Sequence, residues 1–570
     1  MTTQSRSYTH GASCTPLFDD TIGVRFDLAA ARWPDREAIV VRDQGVRLTF
    51  AEMKREVDRL ATGLLALGLR PGDRVGIWSP NNAAWVLTQY ATAKAGLIMV
   101  NINPAYRVAE LEYALNKVEC RALITADRFK TSDYLGMLRE LAPELETSKT
   151  GLLSAHRLPH LTTLIHLGAV DEPGFLNFDA VQRLGGAAEQ ARMAELAELL
   201  QADDPINIQF TSGTTGSPKA ATLTHHNILN NAFFLGERMG VTAGDRYCMP
   251  LPLYHCGGMV CGSLLGMVHG ATVIYPGEGF DPLATLEALQ DERCTVLGAV
   301  PTVFIALLTH AEFHRFDLSP LRKGFIGGAP CPVEVMRRLI DEMHMRDIAI
   351  IYGMTETSPV SVQTSRDDTL EQRVATVGHA HPHVEVKIID LEGRTVPHGV
   401  QGEICTRGYS VMLGYWNGTE QTAEAIDRAR WMHTGDLGTM DANGYIAITG
   451  RSKDMVIRGG ENIYPREVEE FLYGHPAVAD VQAFGVPDAL YGEELCAWIK
   501  LKPGVHATEE EIRAFCRGRI TNFKIPRYVR FVDAYPMTVT GKVQKFVMRE
   551  MMSQELALAK QASECRWTGR

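Results

Sequence analysis

A helix, a short turn and an apolar strand recur in that order along this chain. Residues 52–67 place Met53, Val57, Leu60, Leu64 and Leu67 at helical spacing. Gly68 suits the left-handed position just past a helix, and Arg70-Pro71-Gly72-Asp73 turns the chain into an apolar run at Arg74–Trp78. The same unit returns where helical 187–200 precedes strand 206–210, 282–292 precedes 295–300, and 332–344 precedes 347–353. Such alternation predicts an α/β fold built on largely parallel sheets. At 570 residues the chain is long enough for two to four domains.

In open α/β sheets, ligands bind beyond the carboxyl ends of the strands. Those ends are unusual here. The strand 206–210 runs into Thr211-Ser212-Gly213-Thr214-Thr215-Gly216, with Lys219 just beyond. Glycines let the backbone approach a ligand closely, and hydroxyls with free N–H groups make a concavity suited to phosphate oxygens. A polar surface loop is the plainer reading of this segment alone. The run 295–300 ends on Pro301-Thr302, 324–326 on Gly327-Gly328-Ala329-Pro330, and 348–352 on Gly353-Met354-Thr355-Glu356-Thr357. In one parallel sheet these loops share one edge. A hydroxyl-rich loop, a Gly-Gly turn, an aromatic (Tyr352) and a carboxylate then converge, which outlines a nucleotide and metal site, with Glu356 a hard oxygen ligand for Mg2+.

Bulk properties narrow the class. With 45% hydrophobic and 22% charged residues, the chain reads as an ordinary globular protein. A net charge of −11 argues against a nucleic-acid partner. Eleven scattered cysteines without CxxC pairs fit a reducing compartment, read as cytoplasmic, better than a disulfide scaffold or a zinc site. The N-terminus has no secretory apolar region. Arg6, the serines and the absence of acids before Asp19 faintly echo an organellar transit peptide, but without clear amphipathicity residues 1–30 read as a flexible leader. Residues 257–274 are apolar, but their five glycines and His269 favour a buried helix running into a strand over a membrane span.

From residue 384 the pattern changes to short alternating runs between Gly, Pro and Asn turns, which predicts antiparallel β structure. Residues 450–472 then give a charged segment, a strand, a Gly459-Gly460 turn and a helix opening near Pro465. The expected boundaries are a large domain over 31–450, a hinge at 451–453, a small domain over 454–550 and a tail over 551–570. Near the end, a turn-rich loop presents Lys542.

The segments TSGTTGSPK, YGMTE, TGD at 434–436, GRSKD, RGGENIYP and TGKVQK, in this order, resemble the motifs of the adenylate-forming superfamily of acyl- and aryl-CoA synthetases, luciferases and peptide-synthetase adenylation domains. The likeness runs from about residue 30 to 550. LPLYHCGG and RGGENIYP look most like medium-chain fatty acyl-CoA synthetases. The resemblance implies a large N-terminal domain of α/β sheets plus a β-subdomain, and a small mobile α+β C-terminal domain. It implies that a carboxylate attacks the α-phosphate of Mg-ATP, giving acyl-AMP and pyrophosphate, and that the thiol of coenzyme A then displaces AMP. No protein nucleophile is needed, so catalysis lies in positioning and electrostatics.

By that resemblance Thr211, Ser212, Gly213, Thr214, Thr215 and Gly216 cradle the β- and γ-phosphates, with Lys219 in support. Glu356 holds Mg2+. Tyr352 stacks on adenine, with Gly328, Ala329, Gly353 and Thr355 around it. Asp436 accepts from the ribose hydroxyls, with Arg451 beside it. Lys542 meets the charge that builds at the α-phosphate. Lys453 is the hinge, and rotation of the small domain brings Gly459 and Gly460 to the CoA tunnel. His255 matches an aromatic gate beside the acyl pocket, against a core histidine as the plainer reading. Gly257 and Gly258 leave room for an acyl chain. The partners are then a small carboxylic acid, ATP and CoA, with no nucleic acid, no integral membrane segment, and a homodimer allowed for.

Other features weigh less. His379, His381 and His383 alternate on a candidate strand, but Pro382 interrupts it and no further ligand completes a zinc set. Arg513, Arg517, Arg519, Lys524, Arg527 and Arg530 read first as a solvated face and second as a site for the phosphates of CoA. GxSxG, HExxH and GxGxxG patterns are absent. The alternatives to a fatty acyl-CoA synthetase are an aryl- or short-branched-acid CoA ligase, an acyl-AMP ligase that loads a carrier protein, a luciferase-like oxygenase, and a non-catalytic nucleotide sensor.

Overall fold

The computed structural model describes residues 6–211, 218–451, 453–459, 461–488, 490–538 and 543–567. The chain divides into two compact units. The larger comprises residues 9–386 and 406–432, and the smaller residues 1–8, 387–405 and 433–570.

The larger unit is built on two mixed sheets. In the first, Arg74–Trp78 lies between Ile98–Asn101 and Ala122–Thr125, all parallel, and Ile98–Asn101 continues parallel to Pro205–Thr211. In the second, Val296–Ala299, Lys323–Gly327 and Asp347–Gly353 are parallel neighbours. Toward one edge both sheets turn antiparallel, at Lys219–Thr224 in the first and Val360–Gln363 in the second. The predicted helices form close to their expected bounds, as Phe50–Ala66, Ala187–Leu199, Pro282–Asp291 and Val333–Asp341.

The expectation of a single shared sheet edge is corrected here. The strands ending at Gly327, Gly353 and Ala299 do share one sheet, but Pro205–Thr211 belongs to the other. Ile206 joins the core that unites both sheets, while Ile208 packs on the far side of the first sheet with Trp78, Ile98 and Val100. Residues two apart share a face in a regular strand, and these two part because a register shift falls between Pro205 and Asn207. In the second sheet the adjacent Val296 and Leu297 divide by simple alternation. Both faces of each sheet are buried, which is why these strands read as continuous apolar runs.

Local chemistry sets the helix ends. Thr49 caps Phe50–Ala66 in a reciprocal pair, its hydroxyl accepting from Glu52 N at 3.2 Å while the Glu52 carboxylate accepts from Thr49 N at 2.9 Å. Gly68 past the far end has φ +81°. The apolar segment after His255 forms two short helices around a π-helical turn, Met259–Leu264, then the strand Thr272–Tyr275. No described helix is long and apolar enough to cross a membrane. Within the segment read as a leader, Ile22–Arg32 is a helix that buries Ile22 and Phe26 in the core, and Ile22 N donates to His225 Nδ1 at 3.1 Å.

In the smaller unit, Met432–Met440 and Ile446–Arg451 pair antiparallel, as the alternating runs predicted. Further on, Val478–Asp488 and Gly492–Leu501 form a long antiparallel ladder, with Tyr528–Phe531 parallel to the second strand. The helices Pro465–Tyr473 and Glu509–Cys516 pack on it through Val468, Leu472, Ile512 and Cys516. One helix, Lys545–Trp567, runs through the position where the tail was expected to begin.

Candidate active site

Pro205–Thr211 and Lys219–Thr224 form a hairpin whose last paired residues are Thr211 and Lys219. The loop they carry, with Ser212, Gly213, Thr214, Thr215 and Gly216, lies outside the described residues. Its stems are held firmly. Tyr113 OH donates to Pro218 O at 3.1 Å, and Thr211 Oγ1 donates to Glu356 Oε1 at 3.1 Å. That second bond brings the two sheets together, because Glu356 follows the second-sheet strand Asp347–Gly353.

Glu356 is 5% exposed. Its backbone carbonyl accepts from Met412 N at 2.9 Å, and Tyr415 OH donates to the same Oε1 at 2.9 Å. Tyr415 pairs with Ala221 beside the loop hairpin, and Lys219 Nζ lies 4.9 Å from the centre of its ring. Burial, and then the neighbouring Glu356 carboxylate, push the Tyr415 phenol well above its ordinary pKa, so it stays a donor. Tyr415 was missing from the sequence reading. Nothing in Leu413-Gly414-Tyr415-Trp416 marks it, because its role arises from pairing with a strand about 200 residues earlier.

Gly328 and Ala329 emerge exposed from Lys323–Gly327, beside Tyr352 and Gly353 at the end of the adjacent strand. Gly328 has φ +81°. At Gly353 a Cβ would stand 1.8 Å from Pro359 O, so the turn into Glu356 itself excludes a side chain there. Thr355 is buried beside Glu356.

His255 is half-buried and caps the helix that follows, its Nδ1 accepting from Gly257 N at 3.3 Å. Its neighbours are tied to the loop-bearing strand by a buried ladder of amides. Asn101 Nδ2 donates to Tyr254 O at 2.9 Å, Asn207 Nδ2 to Asn101 Oδ1 at 2.9 Å, Gln209 Nε2 to Asn207 Oδ1 at 2.9 Å, and Cys256 Sγ to Gln209 Oε1 at 3.0 Å. Gly258 does not provide the expected room for a chain, since a Cβ there would meet Pro252 O at 2.4 Å. That glycine serves the packing of its own loop.

In the smaller unit Asp436 and Arg451 face each other across one hairpin. Arg451 Nε donates to Asp436 Oδ1 at 2.7 Å. Asp436 is 6% exposed, whereas most of the Arg451 side chain is in solvent. Within the strand Met432–Met440, Gly435 has φ +70°, and Asp436 N donates to Thr434 Oγ1 at 3.1 Å. Lys453 is exposed in the turn after Arg451. Gly459, φ +59°, is also exposed, and its N–H donates to Tyr491 O at 2.8 Å. Gly460 and Lys542 lie outside the described residues. The loop holding Lys542 is closed by Met537 pairing with Val543 and by Gln544 N donating to Pro536 O at 2.9 Å.

The three histidines do not share a ligand position. His381 is buried between Gln363 and Tyr409, and His383 bonds Thr15 O at 2.8 Å. In the basic series, Arg513, Arg517, Lys524 and Arg530 each pair with a carboxylate.

Comparison with known proteins agrees with this architecture. Residues 26–416 match the AMP-binding enzyme family and residues 467–542 the AMP-binding enzyme C-terminal domain. The chain is 47% identical over 558 residues to the mitochondrial medium-chain acyl-CoA ligase ACSF2 of Rattus norvegicus, covering 97% of this chain and 91% of that one. It is also 47% identical over 535 residues to the putative acyl-CoA synthetase YngI of Bacillus subtilis, covering 94% and 97%. Among solved structures, the anthranilate CoA ligase AuaEII with anthranoyl-AMP matches at TM-score 0.82 and 26% identity, over 95% of this chain and 99% of that one. ATP-bound MatB from Rhodopseudomonas palustris matches at TM-score 0.78 and 28% identity, over 93% and 99%. The cytoplasmic expectation is overturned by the vertebrate relatives, which are mitochondrial proteins. Ten cysteines among the described residues form no disulfide, which reports on thiol redox state and carries no cellular address. With two family segments in order and near full-length relatives, the chain belongs to the AMP-binding enzymes of the adenylate-forming superfamily.

Proposed function

We propose that this chain is an ATP-dependent, AMP-forming acyl-CoA synthetase that activates a medium-chain fatty acid. The observation that carries the reading is the union of Thr211, Glu356 and Tyr415 at the base of the Gly/Thr loop, in a chain 47% identical to medium-chain acyl-CoA ligases.

The acid's carboxylate oxygen attacks the α-phosphorus of ATP, a P–O bond forms, and pyrophosphate leaves. The thiolate of CoA then attacks the acyl carbon, a C–S bond forms, and AMP leaves with the C–O electron pair. The loop 211–216, with Lys219 behind it, receives the β- and γ-phosphates through hydroxyls and backbone N–H groups. Glu356 and the Thr211 hydroxyl offer an all-oxygen donor set of the kind Mg2+ prefers, and the two hydroxyls on Oε1 fix the carboxylate in place. Mg2+ bound there would neutralise phosphate charge. Tyr352 supplies a face for adenine, Gly328, Ala329, Gly353 and Thr355 line that edge, and Asp436, oriented by Arg451, accepts from the ribose hydroxyls. Lys542 stabilises the charge that builds at the α-phosphate. Lys453 is the hinge between the half-reactions, Gly459 and Gly460 serve the CoA step, and His255 stands at the acyl entrance.

The test is AMP release from ATP, with and without CoA, across straight-chain acids from acetate to palmitate plus benzoate. A CoA-dependent maximum at medium length is expected. A maximum at benzoate would keep the reaction and discard the fatty-acid substrate. AMP release that ignores CoA would reassign the acceptor.

A further inference from the structure

One cluster of chemically distinct donors has no part in the reaction just described. Glu403 and Cys405 stand two apart on the strand Gly402–Gly408 and so share a face. His433 comes from the neighbouring strand Met432–Met440. A carboxylate oxygen, the thiol sulfur and an imidazole nitrogen from these three lie within 4.8 Å of one another. Cys405 is buried, while Glu403 and His433 are partly exposed, their side chains 27% and 31% accessible, which leaves a way in from solvent.

The geometry separates two kinds of chemistry. In a thiol relay, the sulfur and the carboxylate take opposite nitrogens of the imidazole. Here both face the same one. His433 Nδ1 is 3.0 Å from Glu403 Oε2 and 3.7 Å from Cys405 Sγ. Chelation requires donors that can surround one position, and these three atoms are mutually close enough to do so. Tetrahedral zinc with its usual bond lengths would separate an N and an O ligand by about 3.3 Å, and an S and an N ligand by about 3.6 Å. The observed separations bracket those values with only small movement needed. The other carboxylate oxygen is already engaged. Gly435 N donates to Glu403 Oε1 at 3.0 Å, which orients the carboxylate with Oε2 toward the cluster. Such outer bonds characterise metal ligands.

We propose that Glu403, Cys405 and His433 form a binding site for a zinc-class divalent cation, with the fourth position open to water. On binding, the thiol proton goes to solvent, the S–H bond breaks and the sulfur–metal bond forms. Thiolate and imidazole select zinc-like ions over Mg2+, so this site stays distinct from an all-oxygen site at Glu356. Because Gly435 N bonds Glu403 within the strand that carries Asp436, an occupied site also ties down the backbone that presents Asp436.

Cobalt(II) is the probe, added to the full-length protein freed of metal. We expect one equivalent to bind with a thiolate-to-cobalt charge-transfer band, and zinc to displace it. Cys405→Ser removes the band, and Cys14→Ser, at an exposed thiol, leaves it. His433→Ala and Glu403→Gln each weaken binding at least about tenfold. Absence of a thiolate band in the unaltered protein, or its survival in Cys405→Ser, overturns the proposal. If Cys405→Ser fails to fold, the partly exposed His433 decides the matter, and unchanged cobalt affinity in His433→Ala overturns it.

Discussion

Glu356, in a short 3-10 helix, and Asp436, within a strand, are both nearly buried carboxylates, yet they are held in opposite ways. Glu356 is fixed by hydroxyls from two distant segments, Thr211 and Tyr415, and through Thr211 it joins two sheets. Asp436 is held by its own hairpin partner, Arg451, whose side chain is mostly in solvent. The first arrangement is assembled only when the whole larger unit folds. The second is local and forms with a single turn of chain. The difference teaches that burial alone does not measure how rigidly a carboxylate is placed. The origin of its hydrogen-bond donors, distant or local in the chain, matters as well.

Four substitutions probe this contrast. Lys542→Ala should have the largest effect, abolishing AMP formation while sparing thioester formation from supplied acyl-AMP. Equal loss of both half-reactions in a single-turnover assay would remove Lys542 from the first of them. Glu356→Gln should lower the rate of AMP formation by about 10²–10³, the loss expected when an electrostatic contact in such a site is removed. A change below tenfold would mean that the rigid carboxylate is merely structural. Tyr415→Phe takes one donor from Glu356. A hydrogen bond to a charged group contributes roughly 1.5–3 kcal/mol, so AMP formation should fall roughly tenfold to a hundredfold, and raised magnesium should recover part of it. Arg451→Ala should matter least. Exposed ion pairs contribute about 1 kcal/mol or less, so KM for ATP should rise by about fivefold at most, with the unfolding midpoint little changed. A larger loss in Arg451→Ala than in Tyr415→Phe would invert the comparison.

The sequence made one kind of information easy to read and hid another. Thr211 and Glu356 stood out because polar residues follow apolar strands, whereas Asp436 was read only through the resemblance of Thr434-Gly435-Asp436 to a family motif. Helix 50–66 was legible because Met53, Val57, Leu60 and Leu64 recur at helical spacing and Gly68 follows its end. The assignment of strands to sheets was not legible. Strands buried on both faces carry no local mark of the sheet they join, so the loop-bearing strand was placed beside strands of the other sheet. Tyr415 was hidden for the same reason, since a pairing such as Ala221 with Tyr415 leaves no local mark. Gly258 misled in a different way. A small residue signals that something lies close, and here it was the backbone of Pro252 and not a substrate.

The amide ladder of Asn101, Asn207, Gln209 and Cys256 has a consequence for folding fidelity. A strand that slips by one residue turns every side chain to the opposite face. For Pro205–Thr211, such a slip would drive Asn207 and Gln209 into the hydrocarbon now filled by Ile208 and its neighbours, and two amides would lose their partners at about 1–3 kcal/mol each. An all-apolar strand would tolerate the error far better. The ladder therefore works as a proofreading device. It delivers Thr211 opposite Lys219, and with them the mouth of the loop, to one position along the sheet and rejects the adjacent ones.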